Sequence, residues 1–477
     1  MGSNVSALSY DRLKSQDSEE REMERDVQSE EEGQASDTSA TDAGHASTWQ
    51  AVANMTSFVQ GVGSLALPYA VMKGGIVTII GFPLFALLHW YTGMVMVSCI
   101  YDQDDNEEHD ELPDGDITLA VNKRQTATTK KSRVRNLYSD LGKVLWPRHG
   151  SVLLDAFQSL DLLILAVSYF ISCGSLMAHA LPKAGLTEAM WASIVAALVL
   201  PSTFLKDLAC MAWQSLLSIT SLLTMVGTLI WYTATQSSHL HFKDVLFWDP
   251  EGALAALGLV ISSYCVYSIL IPVEESMADR SKFGPALGIS LLLAALFKVI
   301  FSVCGFLAFS QDTDEVIGNN FPLGSPRTIV SVVYVTYVVF CYTLVVYPVF
   351  QSLDDSRLAS AITSCIPSFI WTAITRFFIV FATLLVAFAI PHFALLTAFV
   401  GSLALPFLEY MVPCIVHLKL KWCELSPLQT AADGTIIVMG VLATIFGVYF
   451  SGKALVDRKS TRLNSSHRSL SRMPSSA

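Results

Sequence analysis

Gly61-Val62-Gly63-Ser64-Leu65-Ala66-Leu67-Pro68 falls inside the first membrane-length apolar segment of the chain, where a helix crossing a bilayer is expected to run unbroken. Two glycines, a serine and a proline weaken helix propensity there, and the proline removes a backbone donor. Within a bilayer the freed N–H and C=O groups need partners, which only protein or a water-filled cavity can supply. A helix interrupted at the membrane midplane marks the binding site of a transporter. The stretch therefore decides both the fold to expect and where function should be sought.

The surrounding chain fits that reading. Of 477 residues 52% are apolar and 15% charged, and the apolar residues come in long blocks, as in a polytopic membrane protein. Eleven segments have the length and apolarity of a span: 50–70, 76–101, 152–180, 188–205, 211–235, 253–272, 285–309, 326–351, 369–390, 394–418 and 433–452. The segment 188–205 is the shortest. Basic residues set the expected orientation. With the N-terminus in the cytosol, the charged loop 102–151 also lies inside, with Lys123, Arg124, Lys130, Lys131, Arg133, Arg135, Lys143 and Arg148. Lys206, Arg280, Lys282, Arg357, Lys419 and Lys421 fall on the same side, against Lys73, Lys183, Lys243 and Arg327 on the other.

The net charge of −11 is concentrated in residues 1–46, where Glu19, Glu20, Glu22, Glu24, Glu30, Glu31 and Glu32 stand among Ser, Asp and Gly. This reads as a disordered acidic cytosolic tail, either a solubilising arm or a docking segment for sorting adaptors. No apolar signal peptide precedes it, so the first span is expected to serve as the insertion signal. The nine cysteines lie in spans or at cytosolic ends and read as packing residues rather than a disulfide framework. The sequons at Asn4 and Asn54 are cytosolic and intramembrane respectively, so neither is expected to carry glycan. Residues 459–477 are basic, serine-rich and without acids, unlike everything before them, and read as a non-native or disordered tail outside the transport domain of 47–455.

A second interruption supports the first. The sixth segment reads Gly258-Leu259-Val260-Ile261-Ser262-Ser263-Tyr264-Cys265-Val266-Tyr267-Ser268, with Pro272 following. Two broken helices five spans apart are what a five-plus-five inverted repeat requires. Ordinary packing of small residues between helices is the plain alternative. Backbone amides opening a half-helix can hold a carboxylate, and carbonyls ending one can accept from an ammonium. Such a site suits a zwitterionic amino acid, with Thr56, Gln60, Gly61, Gly63, Ser64, Ser262, Ser263 and Tyr264 as its expected substrate-binding residues.

Ionisable residues inside spans are costly and functional by default. Asp161, within Ser159-Leu160-Asp161-Leu162-Leu163, is the expected proton carrier, with a hydrogen-bonded packing role as the alternative. Lys298 in the seventh segment is placed to contact Asp161 or to attract an anion such as chloride. Arg376 is expected to snorkel to the interface. Glu274 and Glu275 follow Pro272 and are expected to line the cytosolic exit. His392 lies at a lumenal turn, where an ordinary pKa of about 6.5 suits an acidic lumen, though an unremarkable loop histidine is the simpler reading.

Thr48-Trp49-Gln50-Ala51-Val52-Ala53-Asn54-Met55-Thr56, Gln60-Gly61, Leu67-Pro68-Tyr69-Ala70-Val71, Lys73-Gly74-Gly75 and Tyr91-Thr92-Gly93 together resemble the amino acid/auxin permease family. Phe204-Leu205-Lys206-Asp207-Leu208, Pro391-His392-Phe393-Ala394-Leu395-Leu396 and Gly401-Ser402-Leu403 resemble its vesicular inhibitory amino acid branch, which loads GABA and glycine into synaptic vesicles. The resemblance covers about 47–452. It implies an all-α, leucine-transporter-like fold with broken helices 1 and 6, and coupling to the gradient of a proton-pumping ATPase. By position, Asp161 and Lys298 match an acid and a lysine of that branch. The chain departs from the branch at Gln60–Ala66, which is closer to the wider vacuolar group, and at Tyr337, where a lysine is expected.

The resulting expectation is a proton-coupled exchanger of small neutral amino acids in the membrane of cytoplasmic vesicles. The rival within the family is a lysosomal or vacuolar neutral amino acid transporter. A channel or receptor would need a repeated pore segment or rings of like charge, and neither is present. No HExxH or GxSxG motif occurs, so neither enzyme chemistry nor a cofactor is expected, and no nucleic-acid partner.

Overall fold

The first span stops being regular α-helix at the glycines. In the computed structural model, which describes residues 46–103, 131–135, 137–204, 208–236, 247–354, 367–390 and 392–470, Thr48–Val59 is α-helical, Val62–Ala66 forms a 3-10 turn, and Leu67–Gly74 resumes the α-helix. Pro68 does not itself break the span. It sits in the first turn of the resumed helix, where an amide would have no helical partner anyway. Ser47 and Gln50 close the start of the span as a capping box, with Gln50 N–H donating to Ser47 Oγ at 3.3 Å and Ser47 N–H to Gln50 Oε1 at 2.8 Å.

Ten further apolar segments follow: span 2 (Ile76–Ser98), span 3 (Gly150–Ala180), span 4 (Glu188–Ser202), span 5 (Leu208–Thr235), span 6 (Pro250–Ser276), span 7 (Phe283–Phe309), span 8 (Ser325–Asp354), span 9 (Ser368–Ala389), span 10 (Phe393–Lys421) and span 11 (Pro427–Leu470). Nine of the described helical segments are long and apolar enough to cross a membrane by themselves. Span 4 is shorter, at 15 residues, and span 1 is divided by its break. The acidic tail before Ala46, residues 104–130 of the charged loop and 471–477 lie outside the described residues, as do Lys206, Lys243 and Arg357. A two-stranded antiparallel ribbon, Tyr101–Gln103 with Lys131–Arg133, is the only sheet among the described residues.

The sixth span breaks too, but not at its proline. Its first half is Pro250–Ser262 and its second Tyr267–Ser276, so the interruption is Ser263–Val266, and Pro272 lies inside the second half. Span 10 also departs from regular geometry. Between Phe393–Leu403 and Val412–Lys421 it passes through a π-helical turn, Pro406–Met411, of a kind found frequently at functional positions.

Close backbone crossings hold the broken spans in place. A Cβ added to Gly258 would lie 1.9 Å from the Ala398 carbonyl oxygen, and one added to Gly401 would lie 2.4 Å from the Gly258 carbonyl oxygen. Spans 6 and 10 therefore meet main chain to main chain, the small-residue contact that drives association where lipid removes the hydrophobic incentive. At one end of the bundle, called proximal here, Ala46 joins the end of span 6, with Ala46 N–H donating to the Ser276 carbonyl at 2.8 Å and Ala278 N–H to the Ala46 carbonyl at 3.0 Å. The distal end carries the span 3–4 and span 7–8 connections, tied by Arg327 donating to the Phe321 and His179 carbonyls.

Gly258→Leu should lower the thermal stability of the detergent-solubilised protein, since overpacking costs about 1–3 kcal/mol. Gly227, whose added Cβ meets nothing within 4 Å, serves as the control. Gly227→Ala should be neutral or stabilise by up to about 1 kcal/mol. Equal melting temperatures for both variants would contradict the crossing.

Candidate functional site

At the break in span 1, Gln60 N–H still reaches the Thr56 carbonyl and Gly61 N–H the Phe58 carbonyl, while Lys298 of span 7 supplies a donor to Val59. Its ammonium donates to the Val59 carbonyl at 3.1 Å, to Ser64 Oγ at 3.3 Å and to Gln60 Oε1 at 3.4 Å, and lies 4.9 Å from the centroid of the Tyr264 ring. Lys298 is fully buried. A cation at the C-terminal end of a helix is favoured by the helix dipole, and here it also meets the orphan carbonyl. The expected contact with Asp161 does not form, because the ammonium's hydrogen-bond partners are all on span 1.

The break in span 6 presents the opposite problem, an amide end. Val266 N–H donates to Glu409 Oε1 at 3.0 Å, and Glu409 comes from the π-helical turn of span 10. A carboxylate at the N-terminus of the second half-helix is the charge that the dipole favours. Asp161 of span 3 receives the neighbouring groups: Tyr267 Oη donates to its Oδ2 at 3.2 Å, and Cys265 Sγ lies 3.9 Å from the same oxygen. The two breaks touch, since a Cβ on Gly63 would lie 3.3 Å from Ser263 Cα and 3.5 Å from Ser262 Oγ.

A cavity of about 690 Å³ begins at this junction and runs toward the proximal end. Gly61, Gly63, Ser262 and Cys265 form its inner end; Asp161, Ser168 and Tyr169 of span 3 and Tyr337 and Cys341 of span 8 line its sides. Gln50, Asn54, Ile269 and Val273 line the proximal part. Ser168 Oγ and Thr397 Oγ1 are 3.1 Å apart across the wall, and Tyr169 Oη lies 3.1 Å from Cys341 Sγ and 3.4 Å from Tyr337 Oη. Among the described lining residues Asp161 bears the only formal charge. A small zwitterion entering the cavity would therefore meet one carboxylate, hydroxyls, and the amides of the 3-10 turn, whose first N–H groups have no partner within the turn.

The residues expected from sequence divide into groups. Gly61, Gly63 and Ser262 line the cavity with Asp161. Gln60 and Ser64 hold Lys298 instead. Ser263 Oγ donates to the Val260 carbonyl at 2.7 Å and Tyr264 Oη to the Phe82 carbonyl at 3.0 Å, and neither lines the cavity. Thr56 is half-buried and does not line the cavity. Glu274, expected at an exit, is buried. It accepts from Tyr101 Oη and lies 3.9 Å from both Arg133 and Arg280, so it belongs to a charged clasp at the proximal end. Glu275 is the exposed member and accepts from Arg133 at 3.1 Å. His392 lies at the distal end, 3.8 Å from Glu315. Arg376 does not snorkel. It is 5% exposed, donates to the Thr203 carbonyl and stacks on Phe204 and Phe350 at 5.3 and 5.2 Å.

Two buried residues at the site are not singled out by residue order. Glu409 is 3% exposed, and His89 of span 2 is 1% exposed with Nε2 at 2.8 Å from Glu409 Oε2. The available hints are an acid and a histidine inside apolar segments, together with Pro406 and Pro413, which flank the turn that aims Glu409 inward.

Comparison with known proteins agrees with this geometry. Residues 44–112 and 117–452 match the family model described as transmembrane amino acid transporter protein. The chain is 26% identical to the vesicular inhibitory amino acid transporter of Xenopus laevis over 442 residues, which cover 90% of this chain and 81% of that protein. It is 28% identical to the vesicular GABA transporter of Caenorhabditis elegans, covering 87% and 83%, and 24% identical to the Arabidopsis thaliana amino acid transporter AVT1C, covering 86% and 70%. Among solved structures, the inward-facing conformation of Mhp1 superposes with a TM-score of 0.52 at 11% identity, covering 88% of this chain and 92% of that one. The fold is that of the leucine-transporter-like proteins, and the chain belongs to the transmembrane amino acid transporter protein family.

Proposed function

We propose that this transporter exchanges protons from an acidic lumen for small neutral amino acids of the GABA or glycine type taken from the cytosol, and so fills vesicles. The observation that carries the reading is the placement of Asp161: a buried carboxylate facing the cavity, held by Tyr267 Oη at 3.2 Å beside the break in span 6. A group there can take a proton from one side and meet a substrate ammonium on the other. The substrate carboxylate would use the amides heading the 3-10 turn at Val62 and Gly63, since no basic side chain is among the described residues lining the cavity. The names of the Xenopus and Caenorhabditis relatives support the vesicular assignment and the substrate type.

The proximal end, where the cavity opens, is read as cytosolic. It carries Arg133, Arg135, Arg280, Lys282, Lys419 and Lys421, in keeping with the excess of basic residues on the cytosolic side. The structure then corresponds to a loading state, in which Gln50, Asn54 and Val273 border the entrance. Release on the lumenal side requires the broken spans to rock against spans 3 and 8. A proton gradient can drive this: each charge crossing is worth about 2.3 kcal/mol per 100 mV, and each pH unit adds about 1.4 kcal/mol.

In proteoliposomes acidified inside, labelled GABA, glycine and alanine should accumulate, and a protonophore should abolish the accumulation. Transport of none of a broad amino acid panel, or transport indifferent to the protonophore, would sink the reading. Export from the acidic compartment would instead favour the lysosomal or vacuolar role.

Asp161→Asn keeps the volume of the side chain and removes its titration. It should reduce gradient-driven uptake at least about tenfold while exchange at equal pH falls much less. Equal loss in both assays would deny Asp161 a proton role. Lys298→Met removes the charge that closes the first half-helix of span 1, leaving the Val59 carbonyl without this donor. Both uptake and exchange should fall about tenfold or more, and melting temperature should drop, since an unmet buried carbonyl costs about 1–3 kcal/mol. Wild-type exchange by Lys298→Met would show that the lysine is not needed to hold the break.

A further inference from the structure

The pair formed by His89 and Glu409 joins span 2 to the break in span 6, and its hydrogen-bond geometry fixes its proton count. His89 Nδ1 lies 2.7 Å from the Phe85 carbonyl oxygen, and because a carbonyl only accepts, Nδ1 carries a hydrogen. Nε2 lies 2.8 Å from Glu409 Oε2. A nitrogen lone pair and a carboxylate oxygen at that distance need one proton between them. The other carboxyl oxygen, Oε1, accepts from Val266 N–H at 3.0 Å. With no shared proton, two acceptors face each other. With two, the pair is an imidazolium and a neutral carboxylic acid, whose oxygens accept more weakly from Val266 N–H and His89 Nε2–H and whose own O–H needs a further acceptor. The arrangement is satisfied by a single proton.

Several ionisable groups face this pair. From span 6 come Tyr264, whose ring is 5.3 Å from the His89 ring, then Cys265 and Tyr267, both on Asp161 of span 3. Tyr410 Oη lies 3.3 Å from His89 Nε2, and Tyr138 Oη donates to the Leu408 carbonyl at 2.5 Å. Lys298 of span 7 reaches the group through the Tyr264 ring at 4.9 Å. Residues 264–267 thus touch the lysine, both acids and the histidine within one short stretch of chain.

We infer that Glu409 and His89 form a one-proton latch on the second half of span 6, closed while substrate crosses and opened by a second proton when the empty carrier returns. The inference rests on the proton-exchange reading above and adds a second proton-responsive group, Glu409, acting as a positioning residue away from the cavity wall. It differs from Asp161 in having no place on that wall, so it acts through Val266 rather than on substrate.

Glu409→Gln is the decisive variant, because the amide oxygen can still accept from Val266 N–H and the amide nitrogen can donate to neutral His89 Nε2, while the carboxyl that would share the second proton is gone. The full chain in proteoliposomes, given the labelled amino acid that the wild type carries fastest, should keep equal-pH exchange within about twofold and lose at least about tenfold in gradient-driven uptake. Glu409→Asp, which titrates, should recover part of the driven uptake. Driven uptake at the wild-type level in Glu409→Gln would overturn the latch. So would equal loss of both activities in Glu409→Gln and Glu409→Asp, the mark of a purely structural cap. If either variant fails to fold, His89→Gln, whose amide can donate to the carboxylate but takes up no proton itself, should show the same split between exchange and driven uptake. Wild-type driven uptake, or equal loss of both activities, would overturn the latch there too. An inactive wild type would instead refute the transport reading, so the two failures are distinguishable.

Discussion

The whole architecture depends on how two unwound stretches of backbone are satisfied where no water is at hand. A bilayer interior gives a free carbonyl or amide no partner, and each orphan costs several kcal/mol. This chain meets the requirement with ionisable side chains, a basic one at the carbonyl end and an acidic one at the amide end, the signs that each helix end favours. Lys298 closes the carbonyl end of span 1 at Val59, and Glu409 closes the amide end of span 6 at Val266. The charges in turn are tolerated inside the protein because each has several polar partners. Each break is thus paired with a buried ionisable side chain from another span.

The origin of the partners has mechanical meaning. Span 7 holds the first half of span 1 at two heights, through Lys298 at Val59 and through Ser290 Oγ donating to the Val52 carbonyl at 3.2 Å. Spans 2 and 10 hold the second half of span 6. The first half of span 6 is locked separately, by the glycine crossing with span 10. Asp161 and the wall residues Tyr169 and Tyr337 belong to spans 3 and 8, which pack on each other. The cavity lies on the seam between these two groups of helices, where relative movement changes its shape without unmaking any single half-helix.

Much of this is legible in residue order. Glycine and serine clusters foretell both breaks, and apolar length gives the spans, because both effects are local. The position of the span 6 break is less legible. Pro272 is the obvious breaker, yet a proline is tolerated in a half-helix already supported by its neighbours, and the chain unwinds earlier, at Ser263–Val266. Glu409 is hidden because it lies in an apolar run, and only the π-helical turn points it at Val266. Gln60 borders one break and Ser64 and Tyr264 lie within the breaks, so residue order alone assigns them to substrate. The approach of Lys298, more than two hundred residues away in sequence, claims the first two, and Phe82 claims the third. Arg376 is illegible for the same reason, since the carbonyl and rings that retain it come from spans 4 and 8 and their neighbouring turn.

The short backbone pairing of Ala46 with Ser276 and Ala278 carries one more implication. It couples the stem of the N-terminal extension to the tail end of the second broken helix, beside the Glu274 clasp. An attachment ahead of Ala46 sits beside a residue that lines the cavity, whereas no residue of span 11 is among the described residues that line it. For anyone attaching a fluorophore, an affinity handle or a tether, the two termini are not interchangeable.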